Sequence, residues 1–170
     1  MRTYPSHLPY GLEYVDRHTI RKTATLSRLE NVKFLEILCN HLILHPDPEI
    51  VPVFDFKYIG PKYGSYEYSY DMRALMTLSP SEKRLVNRAD SQYDRYGILP
   101  SQSDDEVIVK GWSEWLPLMQ FIEKWMVLKR HRDIHDGNIM IDEEDNYLLV
   151  DLEGFIHSPL EDPVNSWITR

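Results

Sequence analysis

The sequence predicts an α+β fold in two parts, and three observations carry the expectation. Runs rich in Val, Ile, Thr and Tyr surround one amphipathic helix up to about residue 76. Helical patterns dominate from about residue 77. Near the end, two short apolar runs, "NIMID" and "YLLVDL", flank the acidic turn "EEDN". The chain of 170 residues is 42% hydrophobic and carries 11 Tyr and 4 Trp, so it can bury a core without staples. We treat 1–170 as a single domain, with 1–76 sheet-rich and 77–170 mainly helical.

Each element has a local reason. "LEYVDRHTIRKTAT" (12–25) alternates as a strand or hairpin, with a turn at Asp16. "SRLENVKFLEILCNHLIL" (27–44) reads as a helix, with Ser27 as N-cap and Glu30 completing a capping box. Its apolar face is Leu29, Val32, Leu35, Ile37 and Leu38, with Phe34 at the edge and Cys39 a small core residue. Pro46 and Pro48 end it. "IVPVFDFKYIG" is a strand, and Pro52 places it at a sheet edge. "PKYGS" is a turn. "YEYSYDMRALMTL" starts as a strand and becomes helical near Met72. "SPSEKRLVNRADSQYDRYG" is a polar helix capped by Ser79 or Ser81 and stopped by Gly97. "ILPSQSDDEVIVKG" is the most loop-like stretch. "WSEWLPLMQFIEKWMVLKRH" is one strong helix, with Trp115, Leu118, Met119, Ile122, Trp125 and Met126 as its core stripe.

Composition excludes several function classes. Net charge is −8 and no long basic tract is present, which argues against a general nucleic-acid binder. "LKRHRD" is the one local basic patch. No apolar run reaches the roughly 18 residues of a membrane span, and "MRTYPSHLPYG" lacks a signal-peptide core. The lone Cys39 forbids an intrachain disulfide, as expected of a cytoplasmic protein. There is no Cys cluster, and no helix is expected through "DIHDGN" to align His131 with His135, so zinc is not expected. "EEDN" lacks the spacing of a calcium loop.

The chemistry sits in "HRDIHDGNIMIDEEDNYLLVDLEGF", residues 131–155. Asp133 and Asn138 are five apart, and Asp151 lies eighteen after Asp133. A hairpin between Asn138 and Asp151 folds the second strand back and returns Asp151 beside Asn138. One carboxylate and one amide oxygen then converge as hard ligands of the kind Mg2+ takes. Asp133 stays close by, placed to orient or deprotonate an attacking hydroxyl. A bland polar loop explains each residue singly, since short acidic side chains favour turns, but not the joint spacing.

These motifs resemble those of the protein-kinase-like superfamily. "HRDIHDGN" is similar to the catalytic loop H-R-D-L-x-x-x-N, and "DLEG" stands where protein kinases have D-F-G. "IHDGN" and "VDLEGF" look equally like the aminoglycoside phosphotransferase-like branch. "HPDPEIVPVFDF", "YEYSYDMRAL" and "HTIRKTA" resemble, more weakly, the N-lobe, hinge and phosphate-binding lysine strand. The resemblance covers roughly residues 14–156. It implies a bilobal fold, with a reduced N-lobe sheet carrying one helix and a truncated, mainly helical C-lobe.

The resemblance also implies roles. Asp133 is the catalytic base, and Asn138 and Asp151 hold Mg2+. Lys22 binds the phosphates of ATP, paired with Glu36; Arg21 and Glu30 are the rivals. The backbone at Glu67, Tyr68 and Ser69 holds adenine, and His131 and Arg132 are structural. The expected function is transfer of the γ-phosphoryl group to a hydroxyl acceptor, with a protein acceptor favoured over a small molecule. Two departures motivate an alternative, a pseudokinase-like module that binds nucleotide or a partner without efficient transfer. No G-x-G-x-x-G precedes Lys22, and only 19 residues follow Asp151, with no A-P-E. Missing docking helices would favour a homodimer or a completing partner chain. Nucleotidyl transfer is a weaker alternative.

Overall fold

The computed structural model describes residues 2–156 and is mixed α+β. It divides into two compact units. Tyr4–Leu75 make one together with Ile156, and Met76–Phe155 make the other together with Arg2 and Thr3.

In the first unit, β1 (Leu12–Asp16) and β2 (Thr19–Leu26) form the expected hairpin, turning at Arg17 and His18. Helix α1 (Leu29–Leu44) follows, then β3 (Val53–Lys62) and β4 (Ser65–Arg73). The antiparallel sheet has the order β1-β2-β4-β3, so β3 is an edge strand, as Pro52 predicts. Val32, Leu35, Leu38, Cys39 and Leu42 are the buried face of α1. Ile37 was expected on that face, but it is 51% exposed because the helical turn carries it to the opposite side. The helix also starts one residue later than expected. Its N-cap is Arg28, so Glu30 falls at the second helical position and no capping box forms with Ser27. Glu30 pairs with Arg28 instead.

The expected helix near Met72 does not form. Met72 pairs with Ile20 on one side and Val53 on the other, and Arg73 and Ala74 donate to the carbonyls of Pro52 and His18. Two partner strands leave this backbone no helical hydrogen bonds to make.

The second unit begins with β5 (Met76–Thr77). Helix α2 (Pro80–Tyr96) is capped by Ser79 in a complete capping box and ends at left-handed Gly97. A 3-10 turn (Pro100–Gln102) leads to α3 (Glu106–Glu114), inside the stretch expected to be a loop. Asp105 makes that helix possible, since its carboxylate accepts from the Val107 and Ile108 N–H groups. The single helix expected over 112–131 is broken at Trp115, and α4 runs over Leu116–Leu128. Pro117 has no N–H to give Ser113 and starts a new helix instead. Leu118, Met119, Ile122, Trp125 and Met126 are buried as the stripe predicts, whereas Trp115, at the break between the helices, is only half-buried. The strands β6 (Ile139–Ile141) and β7 (Tyr147–Leu149) form the expected hairpin, and the small sheet has the order β5-β6-β7.

Arg2 is tied to this unit. Its guanidinium donates to both oxygens of Glu82 at 3.1 Å and pairs with Asp145 at 2.5 Å. The Tyr147 hydroxyl donates to Glu82 at 2.6 Å. Among the described residues no helix is long and apolar enough to cross a membrane.

Candidate functional site

The loop after α4 is built around His131, which is only 4% exposed. Its Nε2 lies 2.9 Å from the Asp151 carbonyl and 3.2 Å from that of Val150, while the Asp133 N–H points at Nδ1 at 3.2 Å. Carbonyls only accept and an amide only donates, so the proton sits on Nε2 and Nδ1 keeps its lone pair. Burial pushes the His131 pKa down despite those carbonyls and the nearby Asp151 and Asp133. A neutral imidazole therefore braces the start of the loop against the segment after β7.

Gly154 makes room for that ring. The residue sits in the 3-10 turn Leu152–Phe155, and its carbonyl accepts from the Arg132 N–H at 2.8 Å. A Cβ here would land within the His131 imidazole. Gly154→Ala is expected to cost about 1–3 kcal/mol through overpacking, read as a lowered midpoint in urea. A midpoint equal to wild type would show that the brace yields without cost.

The hairpin then brings the metal-ligand candidates together. The Val150 N–H donates to the Asn138 carbonyl at 2.9 Å, closing the ladder beyond Ile139 and Leu149. The turn is held by Asp142, whose carboxylate accepts from the Glu144 and Asn146 N–H groups at 2.9 Å. Asp151 adopts a left-handed conformation at φ 61°, which Asp tolerates better than most residues. Asn138 donates its amide to the Asp133 carbonyl at 2.9 Å and to Asp151 Oδ2 at 3.3 Å. Its amide nitrogen is thus occupied, and Oδ1 is the Asn138 atom able to act as a hard oxygen ligand.

Asp133 leads the same loop with a side chain 61% exposed, open to an incoming hydroxyl. Sequence reasoning missed its neighbour. His135 Nε2 lies 3.3 Å from Asp133 Oδ2, while His135 Nδ1 accepts from the Gly137 N–H at 2.9 Å. That acceptance leaves the Nε2 proton aimed at the Asp133 carboxylate. The signal was the i, i+2 spacing in a tight loop, where His135 was weighed only as a metal ligand. A cleft of about 250 Å³ beside the loop is lined by Asp90, Asp94, Lys129, His131, Arg132 and Ile134, among others. Burial and the neighbouring Asp94 raise the Asp90 pKa, with Asp133 and Asp136 adding to it.

Donor chemistry is the test for Mg2+. Asn138 Oδ1 and Asp151 supply two oxygens, and no group of three or more His, Cys, Asp or Glu able to hold a metal occurs among the described residues. The set fits an ion that keeps waters and takes phosphate oxygens, and does not fit zinc.

The first unit corrects three expectations. Glu67, Tyr68 and Ser69 lie mid-strand in β4, paired with Thr25, Ala24 and Thr23 on one side and Gly60, Tyr58 and Lys57 on the other. Their backbone groups serve two ladders, and Tyr68 is buried, so they cannot present an open edge to adenine. Glu36 is exposed on α1 and makes no ion pair among the described residues. It is not a partner held ready for Lys22. The rivals are also otherwise engaged, Arg21 with Asp71 at 2.8 and 3.0 Å and Glu30 with Arg28. Lys22 itself is half-buried on β2, with Nζ 6.0 Å from the centre of the Tyr70 ring. Gly11 is no remnant of a phosphate loop. At φ 87° its carbonyl accepts from the Thr23 N–H, and a Cβ would meet the Thr23 carbonyl at 2.8 Å, so glycine serves a close strand approach. An open cleft of about 770 Å³ in this unit is lined by Lys22, Lys62 and Glu67 among others.

No protein-family model matches the sequence, and no curated protein matches it.

Proposed function

We propose that the chain is an ATP- and Mg2+-dependent phosphotransferase that moves the γ-phosphoryl group to a hydroxyl acceptor, with a protein hydroxyl favoured. The observation that carries this reading is the joint placement of Asn138 and Asp151 in hydrogen-bond contact with Asp133 exposed on the same loop. Asn138 Oδ1 and Asp151 would hold the metal, which when bound neutralises phosphate charge. The Asp133 carboxylate accepts the acceptor's proton or orients its hydroxyl, and His135 holds that carboxylate in place. His131 fixes the segment carrying Asp151. Lys22 is the residue proposed for the phosphates, without Glu36 as its partner. The four-stranded sheet with one inserted helix, followed by a mainly helical unit, supports a kinase-like bilobal fold for the chain.

A second reading, a nucleotide-binding module without efficient transfer, is favoured by the exposed Glu36 and by the lack of a G-x-G-x-x-G before Lys22. Thermal melting tests what both readings share. ATP at about 100 times its Kd stabilises by about 2.7 kcal/mol. For a chain of this length that raises Tm by roughly 5–10 °C. The rise should require Mg2+ and vanish in Asp151→Asn. A rise independent of Mg2+, or one retained in the variant, rules out the metal assignment.

A further inference from the structure

The last turn of α1 carries a pair of histidines that the site above does not use. The segment "HLILH" places His41 and His45 four apart. The His45 N–H donates to the His41 carbonyl at 2.7 Å, so the helical turn closes across the pair although His45 is already the C-cap. Both side chains then rise from one face of the helix, as residues i and i+4 do. Their ring centroids are 5.2 Å apart, at an interplanar angle of 41°. His41 is half-buried and His45 exposed, so the pair is fixed at one end and open to solvent at the other.

That separation is chemically specific. A metal–nitrogen bond of about 2.0–2.1 Å puts an imidazole centroid roughly 3 Å from the ion. Two such rings at a tetrahedral or right angle have centroids roughly 4.5–5 Å apart. The observed centroid separation of 5.2 Å lies close to that spacing. The helix C-terminus is the negative end of the macrodipole, which favours a cation there. Imidazole nitrogens select late first-row divalent ions over Mg2+ or Ca2+. Two histidines one turn apart are the ligand spacing known from helical zinc motifs.

We propose that His41 and His45 form a two-histidine site for a late first-row divalent cation, with affinity in the order Cu2+ above Ni2+ and Zn2+. No third His, Cys, Asp or Glu completes a set among the described residues, so the remaining positions are taken by water. The site would pin the end of α1 and is independent of the chemistry proposed for Asp133, Asn138 and Asp151.

The test uses the untagged full chain, titrated with Cu2+ and with Ni2+ by calorimetry, with Cu2+ electron paramagnetic resonance. The expected result is one saturable site per chain with two imidazole nitrogens in the Cu2+ spectrum. Because the second ligand acts at high effective concentration, His41→Ala and His45→Ala should each weaken binding about tenfold or more. His45→Ala lies at the helix cap, so it keeps the test sound if His41→Ala disturbs α1. Equal affinity in wild type and both variants overturns the proposal, as does the absence of saturation below about 1 mM, the range of a lone weak contact.

Discussion

Asp133→Ala is expected to lower turnover about 10²–10⁴-fold, the usual range for losing a positioned general base. Nucleotide affinity should change little, because the oxygens proposed for the metal belong to Asn138 and Asp151, and Asp133 meets Asn138 through its backbone carbonyl rather than its carboxylate. The carboxylate is the exposed part of the residue, and removing it leaves that carbonyl bond and the His131 brace intact. The measurement is single-turnover transfer from γ-labelled ATP to a pool of Ser- and Thr-containing peptides, beside Mg2+-ATP binding to the same variant. Unchanged turnover in Asp133→Ala would remove the catalytic assignment. Wild-type protein that binds Mg2+-ATP but transfers nothing to peptides or to water would favour the binding-module reading. A product gaining AMP rather than a phosphoryl group would replace phosphorylation with nucleotidyl transfer.

The geometry of the candidate site was legible where it is local. Asn138 and Asp151 flank a hairpin whose period and turn chemistry are written in "NIMIDEEDNYLLV", and pairing in register fixes their meeting. Cap chemistry at Ser79 and Gly97 likewise set the ends of α2. What failed depended on partners distant in sequence. "YEYSYDMR" carries the same β-forming residues whether it lies mid-sheet or at an open connection. Only its pairing with both β2 and β3 closes its backbone to a ligand. Glu36 illustrates the same limit, since α1 buries the face carrying Val32, Leu35, Cys39 and Leu42 and that choice leaves Glu36 to solvent. His135 was missed for a different reason, because a loop histidine's partner is decided by backbone turns that no periodicity encodes.

Glu82→Gln is expected to cost the fold about 2–3 kcal/mol at neutral pH, and the cost should disappear in acid. Glu82 has no exposed side-chain surface, and it joins Arg2, the α2 capping box and the β7 tyrosine in one network. Burial alone would raise its pKa, but hydrogen bonds from Arg2, Tyr147 and Ser79 outweigh burial and lower it from 4.5 to about 2. Burial and Glu82 correspondingly raise the Tyr147 pKa. A carboxylate whose folded pKa is depressed stabilises the fold fully above its unfolded value and loses that contribution as pH falls toward the folded value. A shift of that size corresponds to about 3 kcal/mol at 1.36 kcal/mol per unit, and the partial exposure of Arg2 trims it. The amide of Gln cannot take charge-assisted bonds from Arg2 at any pH, so the variant lacks this contribution throughout. Subtracting its stability curve from that of wild type cancels the other carboxylates. The difference should hold constant above about pH 5 and shrink between about pH 4.5 and pH 2. Near neutral pH it should appear as a Tm lowered by roughly 5–10 °C for a chain of this length. A difference that stays flat down to pH 2 would mean the variant disturbs packing alone, and the charge of Glu82 would then have no part in holding Arg2, α2 and the hairpin together.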